Sequence, residues 1–237
     1  MVKMLKIRNL SKKYGKDVVL KNISLTINKG HIVGVIGANG TGKSTLLKIL
    51  ATEIEDYDGD ILFNGKNIRG NLKEIRKRIG YVPQNPTLFE ELTVKDNIEF
   101  WKDKNEIDLV NKLIDILELK EWLKKKVKNL SGGTKNRLNI LVGIINNPNI
   151  IILDEPLVGV ALSIKKKFFE FIRELSKQGK IILMSSHELW EIELVCTDVL
   201  IIKENEVSSF RTVLEIKNIC KEKNIGFWDY LSMEGGL

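Results

Sequence analysis

Eight residues near the start of the chain have the spacing of a phosphate-binding loop. Segment 37–44 reads Gly-Ala-Asn-Gly-Thr-Gly-Lys-Ser, which fits the pattern Gly, four residues, Gly-Lys and then Ser or Thr. An apolar run at 32–36 precedes it as a buried strand would, and residues 45–50 have helical character. Free N–H groups at a helix start attract anions, and glycines let the main chain approach phosphates. The pattern predicts a nucleotide-phosphate site rather than a glycine turn that merely precedes Lys-Ser.

Each residue of this loop has an expected part in the site. Lys43 is expected to reach the β- and γ-phosphates, and the Ser44 hydroxyl is expected to ligate Mg²⁺. The residues predicted to contact the nucleotide here are Gly37, Ala38, Asn39, Gly40, Thr41, Gly42, Lys43, Ser44 and Thr45.

Two carboxylates follow a second strand-like run. Asp154 and Glu155 come directly after the apolar residues 150–153, and open α/β sheets bind ligands at the carboxyl ends of their strands. Asp154 is therefore expected to hold Mg²⁺, directly or through water, and Glu155 to orient and deprotonate an attacking water. An acidic helix cap after a strand is the alternative, which the accompanying phosphate loop disfavours.

Two further segments could contact an anion. Ser131 has the position of an N-cap, and Gly132 and Gly133 bare the N–H groups of the helix start that follows. This second anion site exceeds what one nucleotide needs, and a glycine hinge before a helix is the alternative. His187 follows the strand-like run 181–184 and the pair Ser185-Ser186, so it is expected near the γ-phosphate, although a lone histidine is more often structural.

Composition narrows the class of protein. The 237 residues are 43% apolar and 29% charged, as is ordinary for a soluble globular protein. The net charge of +7 comes from lysines spread along the whole chain, so no nucleic-acid partner is expected. Cys196 and Cys220 have no metal-ligand spacing and are expected as reduced thiols. Without a secretory signal or an apolar run of roughly 20 residues, we expect a cytosolic chain or one on a cytosolic face.

The hydrophobic patterns predict an α/β fold. Residues 23, 25 and 27 alternate as a half-buried antiparallel strand does, and Asn64-Gly65 marks a hairpin turn. Helical patterns begin at about residue 90, where Thr93 and Asp96 resemble a capping box. We therefore expect a phosphate-loop core with an antiparallel β subdomain and an inserted helical subdomain. The expected divisions are a domain at 1–208, its helical subdomain at about 90–147, and a short helical tail at 209–237.

The chain resembles the ATP-binding-cassette (ABC) ATPase family over about residues 3–207. The resemblance lies in the order of Tyr14, the 37–44 loop, Gln84, the Leu-Ser-Gly-Gly segment 130–133, Asp154-Glu155 and His187. Segment 130–133 is its most specific element. The family implies a phosphate-loop core of ABC ATPase type, with ATP and Mg²⁺ as its ligands.

This resemblance implies a role for each matching residue. Tyr14, in a polar, glycine-bearing stretch expected to be a loop, would stack on adenine. Gln84 would sense Mg²⁺ and the attacking water, near a groove where a membrane subunit docks. Asp154 would help hold Mg²⁺, Glu155 would be the general base, and His187 would contact the γ-phosphate.

The resemblance also implies partners. Ser131, Gly132 and Gly133 would contact ATP bound to a second protomer, identical or not, related by a two-fold axis. Membrane-spanning permease subunits would be separate chains, which places this chain in the cytoplasm, peripheral on the cytoplasmic face of the cell membrane. Segments 81–84 and 92–97 look like those of exporter-type subunits, so we expect drug, peptide or antibiotic export.

Two positions depart from the family pattern. Thr134 stands where the family usually has Gln, at the rim of an otherwise intact segment. Ala161 stands near the usual position of an aspartate in a loop at the dimer interface, which puts coupling between two ATP sites in doubt. Leu157, Val160 and Leu162 predict an apolar patch in that loop.

Two other functions remain open from sequence. A soluble ABC ATPase acting on ribosomes or DNA is one, although such proteins tend to carry two cassettes or a long coiled coil. A different phosphate-loop protein, such as a small-molecule kinase, is the other, and it would leave segment 130–133 unexplained.

Overall fold

The computed structural model describes residues 4–103 and 107–235, whose strands form two sheets. The smaller sheet consists of β1 Met4–Tyr14, β2 Asp17–Asn28, β4 Asp58–Phe63 and β5 Lys66–Asn67. Its order is β2-β1-β4-β5 and every pairing is antiparallel. Ile23, Leu25 and Ile27 are buried along β2, as their alternation predicted. The chain therefore has the expected antiparallel β subdomain.

The larger sheet places the strand ends that matter for chemistry. It consists of β3 Ile32–Ile36, β6 Ile79–Val82, β7 Ile150–Asp154, β8 Ile181–Ser185, β9 Asp198–Lys203 and β10 Glu206–Thr212. The order is β10-β9-β3-β8-β7-β6, with parallel pairing except for β10 at one edge. Because parallel strands end at one edge, the segments after β3, β6, β7 and β8 meet there.

Helices cover both faces of the larger sheet. They are α1 Lys43–Leu50, α2 Leu72–Arg76, α3 Val94–Trp101, α4 Ile107–Ile116, α5 Gly132–Ile144, α6 Leu162–Lys177, α7 Leu189–Val195, α8 Val213–Lys223 and α9 Phe227–Met233. Short 3₁₀ turns occupy Ile68–Gly70, Lys120–Trp122 and Val127–Asn129. No helix in the described ranges is both long enough and apolar enough to cross a membrane.

Alternate residues of the central strands enter two separate cores. Val33 and Val35 of β3 pack with α1 and the antiparallel sheet, whereas Ile32 and Ile36 pack with the helices of the opposite face. Every residue of β3, β7 and β8 is buried. A strand covered on both faces is apolar on both faces, which explains the continuous apolar runs in the sequence.

The helical segment has the predicted start, and it buries one apolar face. Thr93 caps α3, and the reciprocal hydrogen bonds between Thr93 and Asp96 form a capping box. Val110, Leu113 and Leu117 are buried one helical turn apart. Residues 104–106, which fall within the predicted subdomain, lie outside the described residues, as do 1–3 and 236–237.

The structure corrects two local expectations. Tyr14 is the last residue of β1, not part of a loop, because β1 and β2 stay paired up to Tyr14 and Asp17 and leave a two-residue turn. Residues after 208 were expected to be helical, yet β10 continues to Thr212 and pairs with β9. The helices of the C-terminal segment begin at Val213, and their apolar residues join the main core.

Candidate nucleotide site

The phosphate loop connects the buried strand β3 to helix α1. Gly42 immediately precedes α1 with φ +98°, and a Cβ there would lie 2.5 Å from the Val19 carbonyl oxygen. Only glycine fits this conformation and this close approach. Lys43 turns back over the loop, and its Nζ donates to the carbonyl oxygens of Gly37 (2.7 Å) and Ala38 (3.0 Å). The loop therefore holds its lysine among backbone groups before any phosphate arrives.

Lys43 is electrostatically prepared for an anion. Burial lowers the pKa of its ammonium below the usual value, while the nearby Glu155 and Asp154 carboxylates act in the opposite direction. A buried cation that lacks full solvation gains from a phosphate group, because a charge-assisted hydrogen bond replaces lost hydration.

Asp154 has the environment of a metal ligand. It is 1% exposed, and its Oδ1 accepts hydrogen bonds from Ser185 Oγ (2.7 Å) and Ser44 Oγ (3.3 Å). Its Oδ2 is buried and has no hydrogen-bond partner among the described residues. An unsatisfied buried carboxylate oxygen is costly, and Mg²⁺ prefers oxygen ligands of this kind beside a hydroxyl. Asp154 and Ser44 therefore fit Mg²⁺.

Glu155 is held between two neighbouring loops. Its backbone has φ +49°, the left-handed conformation that is uncommon for a residue with a side chain, and its N–H donates to Ser185 Oγ (2.9 Å). Its Oε2 accepts from Gln84 Nε2 (3.1 Å), and its Oε1 lies 2.7 Å from His187 Nε2. A sharp turn at the end of β7 thus places one carboxylate between Gln84 and His187.

These residues surround one cavity of about 440 Å³. Tyr14 stands half-exposed at its wall, with Lys12 Nζ 4.8 Å from the centroid of the ring. Lys12 is itself buried and paired with Asp56 at 2.8 Å, so the tyrosine is supported by a fixed cation. The lining residues are Tyr14, Val19, Asn39, Gly40, Gly42, Lys43, Ser44, Thr45, Gln84, Glu155 and His187.

The structure brings most of the predicted site residues together. Gly37, Ala38 and Thr41 are not among the described lining residues, but they complete the loop, in which Thr41 Oγ1 and Lys43 Nζ donate to the Ala38 carbonyl. Asp154 accepts a hydrogen bond from the hydroxyl of Ser44, which is one of the lining residues. Among the described residues, the cavity wall does not include Ser131, Gly132 or Gly133. That segment is therefore separate from the chain's own phosphate loop.

Segment 130–133 opens helix α5 as its composition predicted. Ser131 is the N-cap, and its Oγ accepts from the Thr134 N–H (3.3 Å) and lies 2.9 Å from Thr134 Oγ1. Thr134 is buried, and Arg137 Nη2 donates to its hydroxyl (3.0 Å). At the position where the family usually has Gln, a threonine thus fixes the capping serine.

The loop that carries Ala161 packs against this helix start. A Cβ on Gly133 would collide with the Gly159 carbonyl, and Asn136 Nδ2 donates to the Val158 carbonyl at 2.6 Å. The two segments that the resemblance would place at a dimer interface are therefore adjacent in this chain. Gly132 faces open space, with no described atom within 4 Å of a Cβ built there.

The predicted apolar patch in this loop is wrong for two of its three residues. Leu157 (2% exposed) and Val160 (8% exposed) are buried in the chain's own core. Leu162 is exposed (53%), and Val158, which was not singled out, is exposed to a similar extent (57%). Turn geometry decides which residues of a short loop face inward, and the apolar pattern alone does not fix it.

Two residues that sequence reasoning missed support the site. Ser185 bridges Asp154 and the Glu155 backbone, and its signal was its place at the end of a strand directly before Ser186 and His187. Lys12 contacts the ring of Tyr14, and both residues lie in β1, where the sequence pattern predicted a loop. Neither contact could be read from sequence, because each joins distant segments.

A glycine loop between strand and helix, with Asp and Glu at the end of another strand of the same sheet, defines a phosphate-loop protein that binds a nucleoside triphosphate. Residues 20–158 match the family model described as ABC transporter. This match covers more than half of the chain and includes the phosphate loop, Gln84, segment 130–133 and the Asp154-Glu155 pair. The chain belongs to the ABC transporter ATP-binding family.

Individual proteins agree with this assignment. An uncharacterized ABC transporter ATP-binding protein of Methanocaldococcus jannaschii is 34% identical over 233 residues, covering 96% of this chain and 82% of its own length. The linearmycin resistance ATP-binding protein LnrL of Bacillus subtilis is 31% identical over 219 residues, covering 90% and 70%. A solved ATP-binding subunit of an ABC transporter superposes with TM-score 0.88 at 26% identity, covering 98% of both chains. The α/β fold of ABC ATPase type is confirmed.

Proposed function

We propose that this chain binds and hydrolyses ATP to power transport through separate membrane-spanning subunits. The observation that supports this most directly is the placement of Glu155. Its two carboxylate oxygens contact Gln84 and His187, at the wall of the cavity that also contains Lys43. A carboxylate oriented by two polar side chains beside a phosphate loop is the arrangement expected of a base that activates water.

ATP binding follows from the lining of the cavity. The half-exposed ring of Tyr14 offers a face for adenine, at the end of the cavity formed by the β subdomain. The N–H groups of the loop and the start of α1, together with Lys43, supply positive charge for the phosphates. Asp154 and Ser44 would hold Mg²⁺, which would neutralise part of the negative charge on the phosphate oxygens.

Hydrolysis is assigned to the groups around Glu155. Glu155 accepts a proton from water as the water oxygen forms its bond to the γ-phosphorus and the bond from phosphorus to the ADP oxygen breaks. Gln84 keeps the carboxylate and the water in place, and His187 contacts the γ-phosphate. Because little covalent chemistry falls to the protein, positioning and electrostatics provide most of the rate.

A second protomer completes the site in this proposal. Ser131 and the glycines that follow it are remote from the chain's own cavity wall, yet they form a helix start suited to an anion. Two chains related by a two-fold axis would each contribute this segment to the ATP of the other. The packing of Gly133 against Gly159 supports a common interface that includes the Ala161 loop.

A second cavity supports docking of a membrane subunit. It measures about 630 Å³, lies between β6 and α5, and has Tyr81, Trp101 and Asn139 in its lining. Trp101 belongs to a cluster of exposed aromatic rings: the Phe89–Phe100 centroids are 4.7 Å apart and the Phe100–Trp101 centroids 5.1 Å. Exposed aromatic groups beside a cavity are typical of interaction sites.

Drug, peptide or antibiotic export is the transport that we propose. The name of the LnrL relative, a linearmycin resistance protein, and the form of segments 81–84 and 92–97 support it. The chain would then act in the cytoplasm, at the cytoplasmic face of the cell membrane.

Purification of the tagged chain from its native membranes tests the proposal. We expect an integral membrane protein to co-purify and the isolated chain to hydrolyse ATP more slowly than the complex. Trp101→Ala should weaken the association without changing ATP affinity, while Lys167→Ala, on the distant surface of α6, should change neither. ATP hydrolysis without any membrane partner, together with co-purifying ribosomes, would instead support a soluble ABC ATPase.

A further inference from the structure

An ion-pair network with a buried centre and one half-exposed member, Glu188, contacts the loop that carries His187. Lys165, in the first turns of α6, is 6% exposed, and its Nζ lies 2.8 Å from Glu191 Oε1 and 2.9 Å from Glu188 Oε1. Glu191 on α7 is 2% exposed, so the pair with Lys165 is almost free of solvent. Buried charges are rarely found without partners, and here the ammonium of Lys165 is paired with the carboxylates of Glu188 and Glu191.

The network holds the residues on both sides of His187. Ser186 Oγ donates to Glu191 Oε2 (2.6 Å) and accepts from the Glu188 N–H (3.0 Å). The Glu188 carboxylate also accepts from Trp190 Nε1 (2.6 Å). The backbone of His187 is therefore fixed by its two neighbours, while its half-exposed ring lines the nucleotide cavity and contacts Glu155.

The same lysine lies in the second turn of the helix that follows the Ala161 loop. The backbone N–H of Lys165 donates to the Ala161 carbonyl (3.0 Å), which is the ordinary first-turn bond of α6, so the Lys165 side chain is carried by the helix that Ala161 begins. Burial on its own would lower the pKa of Lys165, but hydrogen bonds to Glu191 and Glu188 raise the pKa above its usual value. Lys165 thus stays protonated and joins α6 to the His187 loop.

We propose that Lys165 is a positioning residue, which holds His187 in its catalytic position through Ser186, Glu188 and Glu191. The proposal rests on the proposed ATP hydrolysis. It assigns a part in hydrolysis to Lys165, which is not among the described residues that line the nucleotide cavity.

Loss of the network should lower kcat and leave KM for ATP nearly unchanged. Misplacement of a catalytic group by about 1 Å costs up to about 100-fold in rate, so we expect Lys165→Met to lower kcat by about 10- to 100-fold. Lys165→Arg, which keeps the charge and the donors, should retain most of the activity. Lys167→Met is the matched control, because Lys167 on the same helix makes an exposed ion pair with Glu118 at the same 2.8 Å.

A double variant separates positioning from mere stability. Lys165→Met leaves a buried carboxylate unpaired and is expected to lower the melting temperature, whereas Lys165→Met combined with Glu191→Met replaces the pair with apolar side chains and should restore it. We expect kcat of the double variant to stay low, because Ser186 has lost its anchor. Recovery of kcat together with the melting temperature would overturn the proposal, as would equal kcat in Lys165→Met and Lys167→Met.

A spectroscopic readout does not depend on turnover. The chain has two histidines, so the His187 ring signals can be followed by NMR after assignment with a His31→Gln variant. Ser186→Ala is a milder change, which can be used if Lys165→Met does not fold. It should shift and broaden the His187 signal and lower kcat. An unchanged signal would refute the proposal.

Two results separate this proposal from the proposed function. If Glu155→Gln does not lower ATP turnover, the proposed function itself fails. If Glu155→Gln lowers turnover but Lys165→Met does not, only this inference is refuted.

Discussion

The start of helix α6 offers a sharp test of the structure, because Ala161 occupies an N-cap position without a capping side chain. Its φ of −63° and ψ of 144° already have the extended geometry of an N-cap, and no side-chain cap bond is present in this described helix. The first turn of α6 also contains no acidic residue in the described chain. An aspartate at 161 would accept a hydrogen bond from a free N–H of the first turn and favour the positive end of the helix.

The size of this effect follows from the local geometry. A capping side chain contributes about 0.5–2 kcal/mol, typically about 1 kcal/mol, and no backbone rearrangement opposes it here. For a chain of this length, 1 kcal/mol corresponds to about 2–4 °C in melting temperature. We therefore expect Ala161→Asp to raise the melting temperature by about 2–4 °C in differential scanning calorimetry.

A neutral cap provides the control. Ala161→Asn supplies the same hydrogen bond without the charge and should give most of the increase, with the remainder reduced by salt. If neither substitution raises the melting temperature, residue 161 does not cap α6 and the geometry of this loop is wrong. A gain from Asp that vanishes in Asn would assign the effect to charge alone.

Three further predictions address binding, the start of α5 and turnover. Lys43→Ala removes a charge-assisted contact worth about 1.5–3 kcal/mol, so titration with a fluorescent ATP analogue should show about 10- to 100-fold weaker binding, and unchanged affinity would exclude the phosphate site. Thr134→Val keeps the shape but removes the hydroxyl that Arg137 and Ser131 contact, so urea unfolding should show a loss of about 1–3 kcal/mol, and a neutral result would mean these bonds contribute nothing. The isolated chain should hydrolyse ATP slowly until its membrane partner is added, and high, partner-independent turnover that Ala161→Asp does not change would remove any functional weight from this position.

The sequence predicts the central strands and the phosphate loop well, for a physical reason. Strands buried on both faces are continuous apolar runs, and the glycines of the loop at 37–44 are required by local geometry. The strand ends then place Asp154, Glu155 and His187 at one edge, as topology dictates. Local pattern and chain topology are enough for this part of the site.

Contacts between distant segments could not be predicted in the same way. The pairing of Lys12 with Asp56, which supports Tyr14, depends on how the β subdomain closes. The burial of Leu157 and Val160 depends on the turn between β7 and α6, and their apolar character fits a core and an interface equally well. The edge strand β10 was missed because its residues 206–212 include two serines and alternate only weakly.

The measurement that tests the central claim most directly is phosphate release by Glu155→Gln at saturating Mg²⁺ and ATP. The amide keeps the size of the side chain and one of the two oxygens that contact Gln84 and His187, yet it cannot accept a proton. We predict that hydrolysis falls by about 10²–10⁴-fold, or roughly 3–5 kcal/mol of barrier, while ATP binding survives and the ATP-bound dimer accumulates. Phosphate release at the wild-type rate would contradict the account, because Glu155 would then not be the base.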